Sequence, residues 1–198
     1  MGFRDIRVIN EDRMDPGAGF PTHRHQDMEI LSYVLEGELA HRDSMGTGSV
    51  IKPGDLQRMS AGTGVFHSEF NASTDQPVHF FQIWILPEKK GAQPGYEQRN
   101  FPVAERTNRL RLLASHQGRD NSLTLHQAVD LFGCILENGQ TVTHAYLPNR
   151  HGWIQVARGE VELSGQTLGP GDGASISDET LVRLTATRDA EFLLFDLA

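Results

Sequence analysis

Val34-Leu35-Glu36-Gly37-Glu38-Leu39 in the first half of the chain is echoed by Val156-Ala157-Arg158-Gly159-Glu160-Val161 in the second, and each stretch is followed by a Pro-Gly-Asp turn, Pro53-Gly54-Asp55 and Pro170-Gly171-Asp172. A strand, a glycine turn, a second strand and a Pro-Gly-Asp turn, occurring twice, point to a duplicated β unit rather than to one large sheet. Short runs around these echoes alternate or are rich in β-branched and aromatic residues: Glu29-Ile30-Leu31-Ser32-Tyr33-Val34-Leu35, Val78-His79-Phe80-Phe81-Gln82-Ile83-Trp84-Ile85 and Gly152-Trp153-Ile154-Gln155-Val156-Ala157. With 20 glycines and 9 prolines punctuating them, such runs read as an antiparallel sandwich or barrel. No long amphipathic helix is legible, and Ala104–Asn108 offers at most a helical turn.

Between the two copies lies Pro87-Glu88-Lys89-Lys90-Gly91-Ala92-Gln93-Pro94-Gly95-Tyr96-Glu97-Gln98-Arg99, polar and rich in Gly and Pro, as a connection between domains should be. The boundary is therefore set near residue 105, giving units over 1–105 and 106–198. The composition, 38% hydrophobic and 22% charged over 198 residues, is that of an ordinary soluble domain. No apolar stretch is long enough to span a bilayer and residues 1–7 lack a secretory signal, so a cytoplasmic protein without membrane contact is expected. A formal charge of −8 argues against direct nucleic-acid binding. The single cysteine, Cys134, excludes an intramolecular disulfide and, set in an apolar run, reads as a buried inert thiol.

The chemistry is written in the first half. His23 and His25 are separated by one residue, and so are His67 and Glu69. Alternate residues on a strand project to the same face, so each pair can aim two donor atoms at one point. Three imidazoles and a carboxylate suit a divalent first-row metal and leave positions open for water, oxygen or substrate. Glu29, four residues beyond His25 and taken to lie on the same strand face, is a rival to Glu69. His41 and His79 lie on probable strands near the site and read as surface residues ahead of outer-sphere hydrogen-bond donors. His116, His126, His144 and His151 show no paired spacing.

The arrangement Gly17-x5-His23-x-His25-x3-Glu29-x7-Gly37, followed by Gly62-x-Gly64-x2-His67-x3-Asn71, resembles the two signature motifs of the cupin superfamily. It departs from them in a spacing from Glu29 to Gly37 that is one residue longer and in Gly62 standing where the motif has a proline. Thr22–Glu29, Tyr33–Gly37, His41–Gly46, Met59–Glu69 and Tyr96–Arg99 together resemble the pirin family of bicupins, a likeness that spans most of residues 17–99 and is looser in the second half. The resemblance implies an all-β fold of two tandem cupin barrels, each a jelly-roll or double-stranded β-helix. It also implies a metal held by His23, His25, His67 and Glu69, which is what favours Glu69 over Glu29.

Bacterial pirins resemble quercetin 2,3-dioxygenases, which open the heterocyclic ring of a flavonol with molecular oxygen and release carbon monoxide. The resemblance thus implies one divalent transition metal ion, Fe(II) first, with Mn, Ni, Cu, Co and Zn as alternatives. It implies a flat aromatic substrate such as a flavonol, with Glu69 also serving as catalytic base. Phe20, Met28, Met59, Phe66, Phe80 and Trp84 are candidates to line an apolar pocket. Animal pirins resemble the chain as well, and they suggest the alternative of a non-catalytic, redox-sensing regulator acting through a protein partner such as a transcription factor. The second half has no His-x-His before Gly159 and no histidine after Asp172, so it is expected to bind no metal. Pirins usually carry a further N-terminal segment before the stretch matching Gly2-Phe3; its absence is expected to leave a barrel edge open to dimerisation, with the oligomeric state undecided.

Overall fold

A computed structural model describes residues 2–198. The first half folds into β1 (Ile6–Met14), β2 (Gly19–His25), β3 (Glu29–Glu36), β4 (Leu39–Asp43), β5 (Gly48–Ile51), β6 (Asp55–Ser60), β7 (Val65–Asn71), β8 (Val78–Ile85) and β9 (Gly95–Asn100). After the short helix α1 (Val103–Arg106) come β10 (Arg111–Ser115), β11 (Leu123–Thr124), β12 (Asp130–Leu136), β13 (Thr141–Ala145), β14 (His151–Leu163), β15 (Gln166–Leu168), β16 (Gly173–Ile176) and β17 (Leu181–Leu197). The chain divides into two compact units, the first running to Asn100 and taking in Leu125–Gln127, the second made of Phe101–Thr124 and Ala128–Ala198. Among the described residues no helix is long and apolar enough to cross a membrane.

The first unit is built from two antiparallel sheets. One has the order β1-β8-β3-β6-β9 and the other β2-β7-β4-β5. The central strands β3, β6 and β8 are buried on both faces and read as nearly continuous burial. By contrast β7 alternates: Val65, His67, Glu69 and Asn71 are buried while Phe66 and Phe70 are exposed. That period of two is the pleat of a sheet with one covered face, and it selects which β7 side chains enter the interior. Met14, Val34, Leu39, Ile51, Val78 and Phe80 form one apolar cluster of this unit, and Ile30, Met59 and Val65 form a second, with Met28 and Trp84 against it.

The second unit is one eight-stranded sheet that follows β11-β10-β12-β17-β14-β15, with β13 on β17 and β16 on β14. Its core draws Cys134, Leu136, Ile154, Val156, Val161, Leu184, Phe192 and Leu194 together. Burial pushes the Cys134 thiol up to about 12, as expected of an inert cysteine.

The duplication is visible atom by atom. In the first Pro-Gly-Asp turn Asp55 N donates to Lys52 O at 2.9 Å and the Asp55 carboxylate accepts from Lys52 N at 3.0 Å. In the second, Asp172 N donates to Gly169 O at 3.0 Å and the Asp172 carboxylate accepts from Gly169 N at 2.8 Å. The paired glycines agree too: Gly37 at φ +73° and Gly159 at φ +68° both take the left-handed region, and a Cβ would run into the Pro77 carbonyl at the first and the Asp189 carbonyl at the second. Gly159 does not end a strand as expected, however. It sits in an irregularity within the continuous β14, whose register on β17 shifts between Val156 and Val161.

Two further expectations are corrected by the backbone. The polar segment after Pro87 is not all connection, because Gly95–Asn100 forms the edge strand β9, pairing Tyr96 with Met59 and Asn100 with Asp55. Its polarity is that of an edge strand with one side in water. Glu29 does not share a strand with His25: β2 ends at His25, Asp27 turns at φ +50°, and Glu29 opens β3 in the other sheet, opposite Ser60 and Ile85. Gly62 takes φ +46°, which a proline locked near −65° could not adopt, so glycine at that motif position follows from the turn.

Candidate metal centre

Three neighbouring strands of the smaller sheet each contribute an alternate-residue pair: His23 and His25 from β2, His67 and Glu69 from β7, His41 and Asp43 from β4. The register sets His23 opposite His67 on one side of β7, and Asp43 opposite His67 and His41 opposite Glu69 on the other. The donor atoms fall into two overlapping groups, His23/His25/His67 and His41/His67/Glu69, each with its atoms within 4.8 Å of one another. His67 belongs to both. Neither group of the described residues draws on the second unit.

In the first group the rings stand 4.7 Å (His23–His25), 4.5 Å (His23–His67) and 4.9 Å (His25–His67) apart. His23 Nδ1 donates to the Pro21 carbonyl at 2.8 Å, which leaves Nε2 with its lone pair free, and that atom lies 3.1 Å from His67 Nε2. Two nitrogens held at right angles about 2.1 Å from one first-row ion would stand about 3 Å apart, so this pair fits adjacent ligand positions. Burial first, and the neighbouring histidines next, hold the His25 imidazole down at about 4 and that of His67 at about 3. Both are neutral near pH 7, the form a metal requires.

Glu69 is fully buried, and its carboxylate is held from the facing sheet. Ser32 Oγ on β3 donates to Oε1 at 3.0 Å, and Gln82 Nε2 on β8 donates to Oε2 at 2.6 Å. Burial lifts Glu69 to about 7 against the opposing pull of those two bonds, with Asp12 adding a smaller push upward. The Gln82 carbonyl accepts from Trp84 Nε1 at 3.0 Å, and the Trp84 ring meets His25 edge-on at 4.9 Å.

Several sequence expectations change here. Glu29 is buried away from both donor groups, accepting from Ser60 Oγ at 2.9 Å and lying 3.3 Å from His126 Nδ1. His41, expected at the surface, is 0% exposed, with Nε2 3.0 Å from Asp43 and its ring 4.9 Å from that of Tyr96. His79 is also buried, 2.7 Å from Glu11, because β8 lies between β1 and β3. Of the six proposed pocket residues, Trp84 and Phe20 flank the imidazoles, Met59 and Phe80 are wholly core, Met28 packs against the Ile30, Met59 and Val65 cluster, and Phe66 points outward, half-exposed. Ser32 and Gln82 carry no motif signal in the sequence, whereas His41-x-Asp43 has the same one-residue spacing as the other two pairs.

Residues 1–85 match the Pirin family model, and residues 112–197 match the model described as the quercetinase C-terminal cupin domain. Over 197 residues the chain is 45% identical to quercetin 2,3-dioxygenase of Escherichia coli strain K12, covering 100% of this chain and 84% of that protein. The chain belongs to the pirin family. Another pirin relative, the pirin-like protein of Caulobacter vibrioides, is 38% identical over 199 residues, covering 100% of this chain and 85% of its own. The structure superposes on the crystal structure of the bacterial pirin YhhW from Escherichia coli in complex with nickel(II), with a TM-score of 0.94, 44% identity, and coverage of 100% of this chain and 84% of that one. The two β units are thus the tandem cupin barrels of a pirin.

Proposed function

We propose that this pirin is a metal-dependent dioxygenase of the quercetin 2,3-dioxygenase type, with one divalent ion held by His23, His25, His67 and Glu69. The observation that carries the reading is the convergence of three imidazoles, two with nitrogens 3.1 Å apart, beside one buried carboxylate. The name of the E. coli relative supports the reaction, and the nickel complex of YhhW supports a divalent ion. Fe(II), Ni(II), Mn(II), Co(II), Cu(II) and Zn(II) all suit this donor set. The regulatory alternative draws no support from these relatives.

A bound ion would supply Lewis acidity, easing loss of the flavonol 3-hydroxyl proton in preparation for ring opening by oxygen with release of carbon monoxide. The Pro21 carbonyl fixes the tautomer of His23, and the low proton affinity of His25 and His67 keeps their lone pairs available. Glu69 is the acceptor for the substrate proton. Ser32 and Gln82 grip its two oxygens, so it takes the proton from a defined position. Trp84 and Phe20, beside His25 and His23, offer ring faces for a planar substrate. A cytoplasmic site of action is part of the same reading.

The test is anaerobic loading with Fe(II), Ni(II), Mn(II) or Cu(II), then admission of oxygen with quercetin absorbance and carbon monoxide followed together. The expected result is turnover with at least one ion, abolished in His67→Ala. Absence of turnover with every ion in protein shown to be metal-loaded would overturn the reading.

A further inference from the structure

We propose that His41 is an additional metal-directed donor, forming with His67 and Glu69 an inner binding position next to the one that His23 and His25 open. The inference deepens the metal-site reading above and rests on it.

Three observations converge on His41. First, its side chain is 0% exposed, and His67 and Glu69 are 1% and 0% exposed, so the inner group is a fully interior set of two nitrogens and one oxygen. Second, its tautomer is set. Asp43 Oδ1 accepts backbone N–H bonds from Met45 at 2.9 Å and Thr47 at 3.0 Å, which anchors the carboxylate, and Oδ2 lies 3.0 Å from His41 Nε2. A carboxylate so placed can only accept, so Nε2 carries the proton and the lone pair is on Nδ1. Third, that Nδ1 is buried with no hydrogen-bond partner, as is Nδ1 of His67.

A buried acceptor with nothing to accept from has lost its water and gained no partner, so packing alone does not account for it. A carboxylate that orients a histidine and leaves the opposite nitrogen free is the arrangement that prepares imidazole as a ligand. Serving as a plain packing residue would need neither Asp43 nor a free lone pair. The ring contacts agree, with His41 5.4 Å from His67 and backed by Tyr96 at 4.9 Å, so the imidazole is held between the shared ligand and a fixed aromatic wall. An ion can therefore be shared along β7, with His67 as the hinge between an outer set that ends at the β2 pair and an inner set that ends at His41.

Co(II) alone is the probe, titrated into metal-free protein and followed by calorimetry and by its visible d–d absorption. Wild type, His23→Ala/His25→Ala, and that double variant with Asp43→Asn or His41→Leu are compared, with near-ultraviolet circular dichroism confirming the fold of each. The double variant should still bind one Co(II) with a changed d–d spectrum, and His41→Leu should weaken that residual binding by roughly 10- to 100-fold. Asp43→Asn should do the same with the imidazole still in place, since its amide would donate to Nε2 and force the proton onto Nδ1. Folded double variant that binds no Co(II), or that binds it equally well with and without His41, would overturn the inner position. Wild type that binds no Co(II) would instead overturn the metal-site reading on which it rests.

Discussion

Gln82 Nε2 donates to Glu69 Oε2 at 2.6 Å while the carbonyl of the same amide accepts from Trp84 at 3.0 Å, so one side chain ties the only carboxylate of the proposed ligand set to the indole beside His25. A hydrogen bond to a charged group contributes about 1.5–3 kcal/mol, and here it opposes the burial that favours the neutral acid. Gln82→Leu removes it. Divalent-ion affinity should fall roughly 10- to 100-fold, measured by calorimetry with Co(II), and Trp84 fluorescence should shift. Unchanged affinity would separate Gln82 from the metal.

The metal-free protein should show an unusual pH dependence of stability. His25 at about 4 and His67 at about 3 lie below the ordinary histidine value of 6.5, so their contribution is present above that value and is lost as pH falls through the folded ones. Glu69 at about 7 lies above its ordinary 4.5, so its contribution is full below 4.5 and is lost as pH rises through 7. Between pH 4.5 and 6.5 the rise from the two histidines should therefore be partly offset by the loss at Glu69, and stability should level off near pH 7. In Glu69→Gln the climb over that range should be steeper, as read from urea midpoints between pH 4 and 8. A Glu69→Gln curve that runs parallel to wild type would contradict the raised carboxyl.

Gly37 and Gly159 should resist substitution far more than a left-handed glycine with open space around it. A Cβ on either meets a neighbouring carbonyl, whereas Gly165, at φ +77°, has nothing within 4 Å. Gly165→Ala should lose only the backbone term of roughly 1–2 kcal/mol. Gly37→Ala and Gly159→Ala should each lose at least about 1 kcal/mol more, because backbone must also shift. Denaturant midpoints for the three variants decide the point, and equal losses would remove the argument that both glycines mark the same place in a duplicated unit.

Cys134 should be silent to thiol reagents in the folded protein. It is fully buried and its thiol is pushed up to about 12. An aromatic disulfide reagent should react with the one thiol of the chain only after denaturant is added. Fast reaction of native protein would show that the second unit opens far more readily than its packing implies.

Much of this architecture is legible in sequence because it depends on local chemistry. The Pro-Gly-Asp turns need a carboxylate facing the first residue of the turn, the glycines need a left-handed backbone, and His-x-His and His-x-Glu need only the pleat of a strand. What escaped depends on which sheet a strand joins. The positive φ of Asp27 carries Glu29 out of the small sheet, and nothing in the spacing from His25 announces that turn. Gln82 and Ser32 reach Glu69 from the facing sheet, a contact between residues that sequence separation hides. His41 was open to recognition, since His41-x-Asp43 repeats the spacing of the other two pairs. Its burial, however, follows from β4 lying beside β7, which is a fact of topology.

The central claim is that an ion is held by His23, His25, His67 and Glu69, and the most direct measurement is an anomalous difference map from crystals of nickel-loaded wild-type protein. The expected result is one strong peak within bonding distance of the three imidazoles and the Glu69 carboxylate. A peak elsewhere, such as beside Glu29 and His126, or crystals of nickel-treated protein with no peak near His67, would contradict it.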